Sequence, residues 1–350
     1  MNAAFEQSVL VTGGAGFLGQ HLVRRLLDEG RHVRTLDILP RAPDADRRAE
    51  YSQADVRDAR AVEAAMTGIS SVVHCVAAQP VSRSGRAVLH DVNVRGTARV
   101  LDAALRHGVR RVVAISSSAI YGRPLSCPLD EHTRFNPVCA YGRSKVDAER
   151  VCRRYRSLGL DVVILRPRVL LGSGRLGIYQ MLFNWIADTK PIYIVGSGMQ
   201  PFQALSVHDM VEACCQALER DCENQDFNLG ACRYSSFRQD LRRLMDHAGN
   251  RRPIVSLPAA PAKAVLATLD ALDLSPLTAW HYLTVDASFY FDCSKAWEVL
   301  GWMPRHANLD MLIESYDWYL EHRALVDPRY GITHRNSVPQ RAFRWLKALN

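Results

Sequence analysis

The chain has 350 residues, 48% apolar and 23% charged, the make-up of an ordinary folded protein with enough material for two lobes. Its net charge of +8 rests on 44 basic residues, only five of them lysines, and the arginines are scattered as on a solvated surface, not gathered into a nucleic-acid-binding block. No stretch nears the roughly 20 apolar residues that span a bilayer, and no N-terminal run reads as a signal peptide. Nine cysteines without C-x-x-C spacing argue against a disulfide framework and a zinc site, so a reducing cytoplasm and no metal are expected.

In chain order, residues 8–12, 32–36, 71–75, 111–115 and 161–165 are short β-branched runs and read as strands. Residues 17–29, 58–66, 86–107 and 141–157 carry helical spacing between them. Strands alternating with helices predict an α/β fold, a Rossmann-type doubly wound parallel sheet covered on both faces. After Arg166 the pattern loosens into the glycine-rich connections LGSGRLGIYQ and VGSGMQPFQ. A helix over 262–274 with Val265, Leu269 and Leu272 on one face follows, then a short helix over 294–300 ending at Gly301. The division expected is a dinucleotide-binding domain over 1–170, with return elements around 203–220, and a smaller C-terminal substrate lobe over 171–350.

The first strand runs into VTGGAGFLGQHLVRRLL, where Gly13, Gly16 and Gly19 form G-x-x-G-x-x-G ahead of an amphipathic helix. Such a turn delivers a helix N-terminus whose free N–H groups and dipole favour an anion, and a pyrophosphate is the natural occupant. Asp37 closes the second strand about 20 residues further on, where a carboxylate accepts hydrogen bonds from the adenosine ribose. Its charge favours NAD, while Arg41 nearby leaves NADP possible.

The second constellation is ISSSAIYG followed by AYGRSK. Tyr141 and Lys145 are four apart on a predicted helix and share one face. An ammonium beside a phenol, together with a cationic nicotinamide, is expected to lower the phenol from ~10 by about 1 to 3 units and let it exchange a proton as hydride moves. The serine run ends the preceding strand, on the sheet edge where ligands of open α/β sheets bind.

These residues resemble the extended branch of the short-chain dehydrogenase/reductase superfamily, the branch of NAD-dependent sugar epimerases, dehydratases and 3β-hydroxysteroid dehydrogenase-like enzymes. The resemblance covers nearly the whole chain. TGGAGFLG matches the cofactor turn, implying Gly13, Gly16, Phe17, Leu18 and Gly19. QADVRD matches the adenine-contacting pair, implying Asp55 and Val56, and VVHCVAA the strand end behind the nicotinamide ribose, implying Val76 and Ala77. Asn93 of NVRGT would order the active-site backbone, and Pro167 completes the implied cofactor set. The family pattern puts the catalytic serine four residues before the tyrosine of the YG pair, which selects Ser117 over Ser116 and Ser118. It makes Tyr141 the acid/base and Lys145 its partner and ribose ligand. FDCSKAWEVLGWMP resembles the closing segment of the substrate lobe.

The chain departs from nucleotide-sugar members at two positions. Phe202 of FQALSVHD stands where they carry a diphosphate arginine, and Tyr282 where a second is expected. Aromatic residues there, with Trp185, Trp280 or Phe289, predict an apolar pocket for a small hydroxy or keto substrate. Against this, Arg168 or Arg175 would supply a phosphate clamp from another direction. Three functions follow: an NAD(P)-dependent oxidoreductase/epimerase acting at a secondary alcohol or ketone, a nucleotide-sugar epimerase or dehydratase, and a non-catalytic dinucleotide-binding regulator. The regulator is disfavoured because Ser117, Tyr141 and Lys145 are all retained. The resemblance also implies a homodimer through the helices over 86–107 and 141–157, with Val88, Val92, Leu101 and Leu105 as surplus apolar positions.

Overall fold

The β-branched runs assemble into one parallel sheet of seven strands. The computed structural model describes residues 8–42, 45–79, 85–272, 275 and 277–324; the basic C-terminal tail and the last two positions of the helix expected over 262–274 lie outside these residues. The sheet comprises β1 (Ser8–Thr12), β2 (His32–Asp37), β3 (Glu50–Gln53), β4 (Ser71–His74), β5 (Arg111–Ile115), β6 (Val162–Pro167) and β10 (Asp226–Leu229), in the order β10-β6-β5-β4-β1-β2-β3. All pairings are parallel. The order reverses at β1 and β4, which opens a crevice at the carboxyl ends of those strands. Two strands of this sheet go beyond those read from the sequence. β3 reads EYSQ, a polar edge strand, and β10 reads DFNL, four residues that arrive after a long excursion into the second lobe.

Helices cover both faces. On one side α1 (Phe17–Asp28) and α6 (Val207–Glu219) bury Leu22, Leu26, Met210 and Cys214 against Val11, Val73 and Val163. On the other, α2 (Ala59–Met66), α3 (Thr97–Arg106) and α4 (Ala140–Arg156) enclose Val62, Met66, Val100, Leu101 and Cys152. Asp58 is the N-cap of α2, its carboxylate accepting from Arg60 and Ala61 N–H. The helix expected over 86–107 is not uniform: Arg86–His90 is α-helical, Asp91–Gly96 widens into a π turn, and α3 resumes at Thr97. A wider turn of this kind often re-aims side chains next to a site. Here it carries Asn93.

The second lobe holds two parallel strand pairs, β7 (Val169–Leu171) with β9 (Ala204–Ser206) and β8 (Ile192–Val195) with β11 (Ile254–Leu257). With them pack α5 (Ile178–Ala187), α7 (Phe237–His247), α8 (Ala259–Ala271), α9 (Ala279–Thr284) and α10 (Asn308–His322). Phe183, Leu244, Tyr316 and Tyr319 centre its core. In α8 the expected apolar face is not the one used: Val265 and Leu272 are 59% and 62% exposed, and Leu266 is the buried residue. One residue of phase turns a helix by about 100°, and α8 docks through that neighbouring stripe.

The surplus apolar positions expected for a dimer are also redistributed. Leu101 is wholly buried in the sheet's core, and Val88 and Val92 line the large cavity described next. Among the described residues, no helix is long and apolar enough to cross a membrane, and no group of three or more His, Cys, Asp or Glu stands ready to hold a metal. All nine cysteines are free thiols.

Candidate active site

The chain leaves β1 at Gly13, whose φ of +77° is a conformation that suits glycine. Its N–H donates to Leu36 O, and Gly16 N–H returns to Gly13 O, so the turn is closed and α1 starts directly after it. Gly19 makes the close packing possible, since a Cβ there would lie 2.1 Å from Gly13 O. Gly16 caps α1 without any side-chain hydrogen bond, which leaves the first N–H groups of the helix for a ligand. Asp37 ends β2 beside this turn. Its carboxylate accepts from Ala15 N–H at 2.9 Å and Leu39 N–H at 3.0 Å, and burial raises its pKa.

A cavity of about 620 Å³ runs from this turn into the second lobe. It brings together Gly13, Gly16, Phe17, Leu18, Gly19, Asp37, Asp55, Val56, Val76, Ala77, Ser117, Tyr141, Lys145 and Pro167. Asn93 stands behind its wall: its amide accepts from Ala78 N–H at 2.7 Å and donates to Ser144 Oγ at 2.9 Å, and Ser144 Oγ donates to Tyr141 O at 2.7 Å. The π turn thus ties the end of β4 to the first turn of α4.

The three serines of the β5 end have different partners. Ser116 Oγ donates to Glu149 at 2.6 Å, and Ser118 Oγ accepts from Arg168 at 3.1 Å. Ser117 Oγ accepts from Ala119 N–H at 3.2 Å, and its side chain is the one that acts on the Tyr141 phenol, favouring a lower pKa. Lys145 Nζ donates to Ile115 O at 2.8 Å, and burial pushes its pKa down to about 8. The expectation of a lowered phenol is not met by the protein alone: burial pushes Tyr141 up to about 12, the Ser117 hydrogen bond only partly opposing it. Desolvation dominates because the Tyr141 side chain is buried.

Arg41 does not line this cavity. Its guanidinium donates to Asp46 O at 2.6 Å and Ala49 O at 3.0 Å and borders a separate small depression. Phe202, Trp280, Tyr282 and Phe289 do line the cavity, as expected, whereas Trp185 packs against Tyr193 in the second lobe's core. Arg168 and Arg175 are both buried in the cavity wall. Residues the sequence reading missed are Arg57, which pairs with Asp55 at 2.6 Å, and His281. A motif scan finds Arg57 only as the neighbour of Val56, and His281 has no spacing signal. His74 also went unread. It is buried between the hydroxyls of Thr12 at 2.7 Å and Thr97 at 3.0 Å, and burial pushes its pKa down to about 3.

A glycine turn, a strand-end aspartate and a Ser-Tyr-Lys set at the carboxyl edge of a parallel sheet define a Rossmann-type protein of the extended short-chain dehydrogenase/reductase class. The chain belongs to the NAD-dependent epimerase/dehydratase family, whose sequence profile matches residues 9–230. The uncharacterized protein y4nG of Sinorhizobium fredii is 36% identical over 335 residues, covering 95% of this chain and 84% of that one. The 3 beta-hydroxysteroid dehydrogenase/Delta 5-->4-isomerase of Mycobacterium tuberculosis is 27% identical, covering 89% of this chain and 90% of that one. Among solved structures, the dTDP-glucose 4,6-dehydratase DesIV of Streptomyces venezuelae, with NAD and TYD bound, is similar with a TM-score of 0.75 and 26% identity. That match covers 92% of this chain and 99% of that one.

Proposed function

We propose that the protein is an NAD-dependent oxidoreductase or epimerase that moves hydride at a secondary alcohol or ketone, with Tyr141 as the acid/base. One observation carries this reading: Tyr141, Lys145 and Ser117 line the same cavity as the glycine turn, and Ser117 is the serine whose side chain acts on Tyr141, while the Ser116 and Ser118 hydroxyls pair with Glu149 and Arg168. A dinucleotide suits the residues present. The uncapped N-terminus of α1 would hold its pyrophosphate, Asp37 its ribose, and Asp55 with Val56 its adenine. With Arg41 turned to backbone carbonyls, a 2′-phosphate would meet the like charge of Asp37 without help from that guanidinium, which favours NAD over NADP.

Bound nicotinamide supplies the hydride donor or acceptor. In the reductive direction Tyr141, a phenol at neutral pH, gives its proton to the carbonyl oxygen as hydride reaches the carbon, and the Ser117 hydroxyl holds that oxygen. In the oxidative direction the phenolate takes the hydroxyl proton, and the buried Lys145 ammonium stabilises it. Tyr141→Phe keeps the ring, so NAD titration should be unchanged. Turnover, read by nicotinamide absorbance over a panel of secondary alcohols and ketones, should fall by about 100-fold or more. Unchanged turnover refutes the assignment.

A nucleotide-sugar epimerase or dehydratase is the second reading, favoured by the two buried arginines in the cavity wall. Micromolar binding of UDP or dTDP to the NAD-loaded protein, abolished by changing Arg168 or Arg175 to alanine, selects it. Assembly is read as a homodimer through the helices over 86–107 and 141–157, supported now by Leu105, Val151 and Tyr155, which stay only partly buried there. Light scattering that gives the mass of one chain at micromolar concentration overturns the dimer.

A further inference from the structure

Arg168 and Arg175 are not equivalent. The Arg168 guanidinium is already engaged: Nε donates to Gln203 O at 3.0 Å, Nη1 to Ser118 Oγ, and the group lies 3.8 Å from the centre of the Phe289 ring. Arg175 is 4% exposed, and its Nε and Nη1 are buried without a hydrogen-bond partner. Among the described residues no carboxylate acts on its charge, and it rests against the faces of Tyr179 at 5.4 Å and Phe17 at 5.9 Å. A buried cation with unmade hydrogen bonds is costly unless an anion completes it. Burial pushes this guanidinium down to about 10.

His281 stands on the same cavity wall, close enough to feel the Arg175 charge. Its Nδ1 accepts from Thr278 N–H at 3.1 Å and lies 3.0 Å from Thr278 Oγ1, so the ring proton sits on Nε2. Burial and Arg175 push its pKa down to about 4, so at neutral pH it is a neutral donor. The wall beyond is aliphatic, with Ile178, Leu182, Ile194, Leu266 and Val285. A nucleotide diphosphate spreads several charges and many hydroxyls over its site. This wall offers one cation with donors to give, the neutral His281 beside it, and a chamber that is mainly aliphatic and aromatic.

We infer that Arg175 and His281 anchor a single anionic group, a phosphate monoester or carboxylate, carried by a substrate whose remaining body is apolar. The inference rests on the reading that hydride is moved to or from a substrate in this cavity, and it names that substrate's class: an anionic amphiphile. The cofactor pyrophosphate is the other source of the same anion chemistry, since Phe17 belongs to the glycine turn.

The test is calorimetric titration of the NAD-loaded protein with decyl phosphate, decanol, inorganic phosphate and UDP. It needs no turnover, so its failure is separable from failure of the Tyr141 assignment. Decyl phosphate should bind about tenfold to a hundredfold tighter than decanol, the yield of one set of charge-assisted hydrogen bonds. Inorganic phosphate should bind far more weakly than decyl phosphate. Arg175→Met should bring decyl phosphate down to the decanol level, Arg175→Lys should restore part of the difference, and NAD affinity should stay the same. Ligand-free Arg175→Met should melt no lower than the parent, because an unpaired buried charge has been removed. Equal binding of decyl phosphate and decanol overturns the anchor, as does a melting point lowered by several degrees. Inorganic phosphate as tight as decyl phosphate, or UDP tighter, overturns the amphiphile. An equal loss of NAD affinity in Arg175→Met overturns the substrate anchor and assigns the arginine to the cofactor.

Discussion

Gly19→Ala perturbs the cofactor turn without touching any titrating group. The added methyl would lie 2.1 Å from Gly13 O and 2.8 Å from Gly14 Cα, both backbone atoms of a turn held by hydrogen bonds to Leu36 and within itself. The start of α1 has to open by about 1.3 Å, from 2.1 Å to the 3.4 Å where ordinary contact begins. Overpacking of this sort costs about 1 to 3 kcal/mol of stability. The same displacement takes the Phe17 and Leu18 N–H groups off a pyrophosphate, and two hydrogen bonds to a charged group are worth about 3 to 6 kcal/mol together. NAD affinity should therefore fall by two to four orders of magnitude while the melting point drops by only a few degrees. Gly85→Ala is the control, since its φ is −55° and, among the described residues, nothing lies within 4 Å of its added methyl. Titration calorimetry on both variants reads the difference. NAD binding by Gly19→Ala within threefold of the parent would refute the reasoning.

Asp37→Ser should shift preference toward NADP by about tenfold or more, because the like charge is gone and the replacement still offers a hydroxyl; an unchanged NAD/NADP ratio counts against the ribose role. Glu149→Leu leaves the fully buried Arg166 without its bidentate partner at 2.9 Å and should cost about 3 to 5 kcal/mol in urea unfolding, with Glu149→Gln costing less. Acid should weaken the fold between about pH 6.5 and 4. There the unfolded chain protonates His74 and His281 while the native chain, with values near 3 and 4, does not, so stability falls as pH falls, by up to about 2.7 kcal/mol per unit for two protons. Urea midpoints measured across that window should show roughly half the slope in His281→Gln.

The parts of this molecule that could be read from residues alone are those whose reason is local. Gly13, Gly16 and Gly19 announce a turn because side chains are forbidden there, and Tyr141 and Lys145 announce a shared face because a helix brings residues four apart together. β3 and β10 escaped because four polar or mixed residues carry no period, and only a neighbouring strand makes them strands. The α8 face was misjudged because Val265, Leu266 and Leu269 are all apolar, and tertiary docking chose the phase. Arg175 could be named from its place after β7, but whether a carboxylate would reach it was not in the local pattern. The same holds for His74 and His281, whose neutrality comes from burial by distant segments.

The pairing of β10 with β6 fixes an order of events on the ribosome. Asp226 lies opposite Ile164 and Leu229 opposite Pro167, yet some sixty residues, those of the second lobe's first elements and of α6, are made between them. Until Asp226–Leu229 emerge, β6 presents an open hydrogen-bonding edge, and Arg166 lacks the carboxylate of Asp226 that it contacts at 2.6 Å in the finished protein. A nascent chain halted near residue 170 therefore exposes a sticky strand end, and a chaperone or the chain's own later segment has to shield it. A clone cut at that point should yield inclusion bodies where the whole chain yields folded protein.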